Sequence, residues 1–236
     1  MKGKGLFIIG TDTGAGKTVV TGALGLGLKA RGYDTGVMKP VETGCTPSGN
    51  TLIPEDGAFL KKLINPPEGL EDITPLRFLP PVAPSVASRE EEREIDLPSL
   101  ARRCERVINS HEITLIEGIG GLMVPLSEKS FISDLIRLLD LPVLVVAPDR
   151  VGVINHSLLT VRMGMYEGLR MAGLILNQTD PAGDVSRETN LDELRRHLTV
   201  PVLGRLPFLE DLSGETLLRA AETGIDIGLI MKSLGG

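Results

Sequence analysis

The sequence predicts an α/β fold: a mostly parallel β-sheet flanked by helices on both faces. Three observations carry this. Six short apolar runs recur along the chain: "LFIIG" (6–10), "TGVMK" (35–39), "ITLIE" (113–117), "PVLVVA" (142–147), "AGLILN" (172–177) and "PVLGRL" (201–206). Continuous runs of this kind suit strands covered on both faces. Segments of helical periodicity lie between them, and strand–helix alternation implies crossovers and parallel pairing. A glycine-rich stretch, "GTDTGAGKT", joins the first run to the first helical segment.

Taken in order, the run at 6–10 opens the sheet, and 17–31, "KTVVTGALGLGLKAR", is the first helix. After the run at 35–39 the pattern breaks. Residues 43–54 and 65–88 are rich in Pro, Gly, Ser and Thr and read as long loops, which in a compact domain are usually functional or disordered. "FLPPVAPS" holds three prolines within eight residues, which excludes a central strand or a helix interior. The charge run "REEERE" (89–94) reads as a solvated surface turn. Helical patterns return at 97–110, 154–168 and 215–233, interleaved with the remaining strand runs. With no internal repeat and no linker, residues 1–236 read as a single domain.

Composition narrows the function. A net charge of −6 argues against a general nucleic-acid surface. Aromatic residues are only 3%, with no Trp, so a base-stacking platform is not expected. No apolar run approaches a membrane span, and the N-terminal run lacks the length and cleavage site of a signal. The two cysteines, Cys45 and Cys104, stand outside any CxxC pattern, which points to reduced thiols in a cytoplasm.

Gly16-Lys17-Thr18, opening a helix after a strand and a glycine turn, is the context of a phosphate-binding P-loop. Glycines let backbone N–H groups converge on an anion, and the helix N-terminus adds partial positive charge. Lys17 can reach the β- and γ-phosphates, and the Thr18 hydroxyl can ligate Mg²⁺. The spacing from Gly10 is G-x5-GKT, one residue longer than the common form. A nucleoside triphosphate is therefore the expected ligand. Such sites need an acid near the end of another strand. Glu117 in "ITLIEGIGG" supplies one, where open α/β sheets place ligands, with Gly118, Gly120 and Gly121 keeping the chain thin. Asp56 in "PEDGAFL" is a second candidate, for which a helix N-cap role competes. Lys39, ending the second run before Pro40, would face the γ-phosphate opposite Lys17, and two cations around a transferring phosphoryl group are a catalytic arrangement. Thr43 and Gly44 suit a small polar substrate.

The blocks "GTDTGAGKT", "KPVETG", "IEGIGG", "LPVLVVAPDRVGVINHSLLT" and "GLILNQ" occur in the order and spacing of the dethiobiotin synthetases, and the chain resembles that family over nearly its whole length. The resemblance implies a P-loop NTPase-type fold and a Mg²⁺- and ATP-dependent cyclo-ligase. Its substrates would be 7,8-diaminopelargonic acid and CO₂, joined through a phosphorylated carbamate. It further implies that Thr18, Asp56 and Glu117 serve the metal, that Lys17 and Lys39 are catalytic, and that Thr13 and Thr43 meet carbamate or diamine. The nucleotide would be held by Asp12, Thr13, Gly14, Ala15, Gly16, Lys17 and Thr18, with Asp56, Glu117, Gly118 and Gly120. Asn177 resembles the family's adenine-reading Asn, and Leu206, Pro207 and Phe208 its base-closing loop. Asn155 would hold the substrate carboxylate across a homodimer interface.

His156 reads as structural at a helix start, and His111 and His197 carry no partner signal. Gly14 stands where some relatives carry an acid, and Cys45 is either an incidental small residue or a reactive thiol near the site. Among rivals, another P-loop amidoligase would need a glutaminase domain that the chain is too short to hold. A partitioning-type ATPase would need a lysine where Asp12 stands.

Overall fold

The computed structural model describes residues 3–182 and 184–235. The chain enters the sheet as β1 (Lys4–Gly10) and turns through the glycine-rich loop into α1 (Lys17–Ala30). Strand β2 (Thr35–Met38) is followed by an excursion. It comprises β3 (Val41–Thr43), the hairpin β4 (Thr46–Ser48) and β5 (Thr51–Ile53), α2 (Glu55–Ile64), α3 (Leu70–Ile73) and β6 (Leu76–Phe78). Helices α4 (Pro84–Glu90) and α5 (Leu97–Ile108) lead back to β7 (Ile113–Gly121). The remainder alternates: α6 (Ile132–Leu139), β8 (Val143–Pro148), α7 (Val153–Tyr166) and β9 (Met171–Asn177). Next come α8 (Asn190–His197), β10 (Val202–Leu206), α9 (Gly214–Gly224) and α10 (Ile227–Ser233).

Six strands form one parallel sheet in the order β10-β9-β8-β1-β7-β2. Alternation along a strand sends successive side chains to opposite faces. Phe7 and Ile9 enter a core shared with α5, α6 and α7, while Leu6 and Ile8 enter a second core against α1, α2 and α9. Burial on both faces is why the strands read as unbroken apolar runs. Helix α1 is glycine-rich despite the roughly 1 kcal/mol each Gly costs a helix relative to Ala. Close packing explains one of them: a Cβ at Gly25 would meet Ile64 at 2.5 Å.

The excursion is more structured than its composition suggests. Residues 43–54 hold an antiparallel hairpin, with Thr46 paired to Ile53 and Ser48 to Thr51. Within 65–88, β6 pairs in parallel with β3, and Pro84 sits in the first turn of α4, where a missing N–H costs nothing. The run 89–94 is not simply solvated. Arg93 lies over the Phe78 ring at 5.1 Å and donates to the Arg77 carbonyl, while Glu91 accepts from the Leu79 N–H. The single helix expected over 215–233 is two. Ser213 caps α9 and Asp226 caps α10, and the Asp226 N–H donates to the Leu203 carbonyl at 2.7 Å, docking the break onto β10.

Candidate active site

The P-loop leaves β1 at Gly10 and enters α1 at Lys17. Gly14 and Gly16 have φ of 76° and 80°, a left-handed conformation that L side chains rarely adopt. A Cβ at Gly16 would also meet the Asn177 amide nitrogen at 2.0 Å. The N-cap of α1 is Gly16 itself, with no side chain capping the helix and no acid in its first turn. Its leading N–H groups are thus an anion site.

Sheet register brings the charged groups together. Parallel pairing sets Met38 opposite Ile116, so the next residues, Lys39 and Glu117, stand side by side. Lys39 Nζ lies 2.5 Å from Glu117 Oε1 and 2.8 Å from Asp56 Oδ2. The Thr18 hydroxyl donates to the same Glu117 oxygen at 2.9 Å. Burial works against the Lys39 ammonium, but Glu117 and Asp56 outweigh it and hold Lys39 above its usual value. Lys17 is also buried, and its pKa is lowered by that burial and by Lys39. Burial disfavours the Asp56 carboxylate too, yet Lys39 outweighs it and keeps the group below the ordinary range.

Glu117 is not at a strand end. It lies inside β7, which runs on to Gly121. It is where pairing with β2 stops and just before the register with β1 shifts, between Ile8 and Gly10. The N-cap role for Asp56 is overturned as well. Pro54 holds the N-cap position and Asp56 is the second residue of α2. The acceptor for its first-turn N–H groups is Glu42, at 2.9 Å from Asp56 N and 3.0 Å from Gly57 N.

Thr13, Gly14, Gly16, Lys17, Thr18, Lys39, Thr43, Asp56 and Gly120 line one cleft of about 350 Å³, together with Glu42 and Ile119. A second, of about 270 Å³, is lined by Gly14, Gly16, Asn177, Pro207 and Phe208. There Asn177 donates to the Ala15 carbonyl at 3.0 Å, and the Phe208 N–H donates to Gln178. Leu206 ends β10 fully buried, and Gly118 packs its backbone against Phe7. Asp12 is exposed, accepts from the Thr13 N–H and lies 3.8 Å from Arg150. A third cleft, of about 800 Å³, runs from Thr11, Asp12 and Thr13 to Leu159, Met163 and Tyr166 of α7. Asn155 stands exposed on the first turn of α7 and lines none of the three.

Glu117 Oε2 is a buried oxygen with no hydrogen-bond partner among the described residues. With the Thr18 hydroxyl and Asp56, it offers the hard oxygen donors that suit Mg²⁺. No group of three or more His, Cys, Asp or Glu among the described residues could hold a metal alone. That fits an ion which usually takes one or two carboxylates plus substrate phosphates.

A family model described as an AAA domain matches residues 4–216. The chain is 38% identical to the ATP-dependent dethiobiotin synthetase BioD of Thermodesulfovibrio yellowstonii, over 94% of this chain and 96% of that protein. It is 35% identical to the protein of the same name from Bacillus subtilis (strain 168), over 98% and 99%. The chain belongs to the dethiobiotin synthetase family. Among solved structures it resembles a chain of the MinC:MinD cell division protein complex of Aquifex aeolicus (TM-score 0.58, 17% identity, 99% of this chain and 96% of that one). It also resembles the cell division ATPase MinD of Pyrococcus furiosus (TM-score 0.56, 16% identity, 93% and 97%). These identities carry the fold alone, and the fold is the expected P-loop one.

Several synthetase residues escaped the sequence reading. Glu42 sits inside the "KPVETG" block, but nothing local says that its carboxylate reaches a helix fourteen residues on. His111, expected to lack partners, has its Nδ1 at 3.0 Å from Asp34 and its Nε2 at 3.0 Å from Glu68. His197 is 3.4 Å from Glu193, an i,i+4 pair whose spacing was visible. His156 stands at the start of α7, as expected, with its backbone N–H donating to the carbonyl of the N-cap Gly152 and its side chain exposed. Cys45 is buried with its thiol 3.5 Å from the Glu42 carbonyl, and burial pushes its pKa up to about 11, which argues against the reactive-thiol alternative.

Proposed function

We infer that this chain is an ATP-dependent dethiobiotin synthetase, closing the ureido ring of dethiobiotin from 7,8-diaminopelargonic acid and CO₂. The observation that carries the mechanism is the convergence of Lys39, Glu117, Asp56 and Thr18 beside the P-loop. One amine of the diamine forms an N–C bond to CO₂ and loses a proton, giving a carbamate. A carbamate oxygen then attacks the γ-phosphorus as the bond to ADP breaks. The second amine attacks the carbamoyl carbon, the C–O bond to phosphate breaks, and the ring closes with loss of a proton. No protein nucleophile is needed. The protein's task is to hold two anions together and stabilise charge in the transfer.

The free N–H groups of the P-loop and of α1 bind the β- and γ-phosphates. Lys17 and Lys39 flank the transferred group, and Thr13 and Thr43 orient carbamate and diamine. Thr18, Asp56 and Glu117 hold Mg²⁺, which when bound offsets phosphate charge. The adenine occupies the cleft between Asn177 and the Pro207–Phe208 turn. Asn155 serves the substrate carboxylate of a partner chain in a homodimer. Exposed Leu159, Met165 and Tyr166 on α7 support that surface. A cytoplasmic setting accords with two free, buried cysteines, and no helix among the described residues is long and apolar enough to cross a membrane. The test is incubation with ATP, Mg²⁺, bicarbonate and the diamine, followed by mass analysis. A cyclic urea formed with stoichiometric ADP is expected, and ADP without the urea would overturn the reading.

A further inference from the structure

Helix α2 carries Asp56 in its first turn but has no cap of its own, because its N-cap residue is Pro54. Glu42, from β3, supplies the cap from across the chain. Its two carboxylate oxygens accept separately, Oε1 from the Asp56 N–H at 2.9 Å and Oε2 from the Gly57 N–H at 3.0 Å. Such an arrangement satisfies two donors that a helix start otherwise leaves unmade. The carboxylate is buried, and burial raises its pKa even against the lowering effect of those two charge-assisted bonds.

The same short segment therefore grips Asp56 twice. Lys39, three residues before Glu42, pairs with the Asp56 side chain, and Glu42 holds the Asp56 backbone. Between Glu42 and Asp56 lies the β4–β5 hairpin, whose strands are largely exposed and pack no buried side chain. The hairpin alone gives α2 little anchorage. The Glu42 carboxylate closes the loop at its base and sets where α2 begins.

We propose that Glu42 is a positioning residue, fixing the Asp56 carboxylate in the geometry the metal and phosphate end of the site requires. This rests on the reading of Asp56 as a metal ligand. Removing a group that orients a metal ligand typically costs about 10–100-fold in metal affinity or activity.

The test is Mn²⁺ binding, followed by electron paramagnetic resonance, to full-length protein saturated with a non-hydrolysable ATP analogue. Parent, Glu42→Ala, Glu42→Gln and Asp56→Ala are compared, with thermal melting of each. Glu42→Ala is expected to weaken Mn²⁺ by about tenfold, near the effect of Asp56→Ala. Glu42→Gln keeps one acceptor oxygen and should weaken it by only about threefold. Steady-state kinetics should show the loss in the Mg²⁺ requirement and in kcat, with KM for ATP little changed. A Glu42→Ala protein that melts lower yet binds Mn²⁺ like the parent, while Asp56→Ala does not, overturns the proposal and leaves the metal reading intact. Should Asp56→Ala bind Mn²⁺ like the parent, the ligand reading of Asp56 falls first and the positioning role with it. If the alanine variant does not fold, Glu42→Gln decides: threefold weaker binding supports the role and parental affinity overturns it.

Discussion

Replacing Lys39 with Met keeps most of the side-chain length and removes the charge. Glu117 is fully buried and Lys39 nearly so, whereas 44% of the Asp56 side chain is exposed. The Lys39–Glu117 pair therefore dominates, because solvent screens the Asp56 share. Removing one partner of a buried ion pair leaves an uncompensated charge and costs about 3–5 kcal/mol. About 3 kcal/mol, the lower end of that range, is the expected loss in the ligand-free protein. In a chain of this size each kcal/mol moves Tm by about 2–4 °C, which gives a fall of about 6–12 °C. On turnover the change removes a fixed charge from the transferring phosphoryl group, worth about 10²–10³ in kcat. Scanning calorimetry reads the first effect, and a coupled ADP-release assay at saturating ATP and diamine reads the second. A Lys39→Met protein with parental Tm and turnover would refute both the ion pair and the catalytic placement.

Glu117→Ala and Asp56→Ala should each raise the Mg²⁺ concentration for half-maximal rate, Glu117→Ala more, since both Lys39 and Thr18 lean on Glu117; a titration matching the parent would remove that residue from the metal site. Gly16→Ala forces a Cβ against Asn177 at φ 80°, so equilibrium dialysis should show ATP affinity reduced by about tenfold or more, given a strain of about 1–3 kcal/mol. Mixing Asn155→Ala with Lys39→Gln chains should restore some activity through one intact hybrid site, and mixed dimers that stay inactive would place Asn155 outside the partner's site. At His111, burial lowers the pKa but Asp34 and Glu68 outweigh it, so the folded value lies above the usual 6.5. Its contribution is then complete below about pH 6.5 and lost as pH rises through the raised value. His111→Asn should lower Tm by more at pH 6 than at pH 9, and an equal deficit at both would remove the charged pairing.

The sheet and the phosphate loop were legible because their signals are local. Apolar runs mark strands buried on both faces, and "GTDTGAGKT" carries its conformational demand in its own glycines. Lys39 and Glu117 were legible as candidates for a related reason: each closes an apolar run, and the register of neighbouring strands makes them adjacent. The excursion between β2 and β7 was not. Its strands are three residues long and the start of α2 is capped by Glu42 from another strand, so composition showed only Pro, Gly, Ser and Thr. Glu42 and His111 were missed because their partners lie 14 to 77 residues away, and no periodicity records such contacts. The break between α9 and α10 was hidden by continuous helical spacing, although Asp226 is a cap residue in plain view.

The charge arrangement also restricts what each lysine can do. In the ligand-free site Lys17 and Lys39 face Glu117 and Asp56, and Glu42 lines the same cleft, so no net positive charge awaits the phosphate. A triphosphate and a carbamate would both add negative charge to a partly dry cleft, and a divalent cation held by the same carboxylates would offset it. Glu117 and Asp56 hold Lys39 above its usual value, which favours its ammonium form in the ligand-free site. In the proposed mechanism Lys39 would therefore serve as a fixed charge rather than as the base that takes the amine protons during carbamate formation and ring closure. In that mechanism the carbamate-forming proton would leave to solvent, and the ring-closing proton to solvent or the departing phosphate. Rates on the acid side should consequently follow the free-amine fraction of the diamine, and replacing Lys39 should lower the pH–rate profile without moving its acid limb.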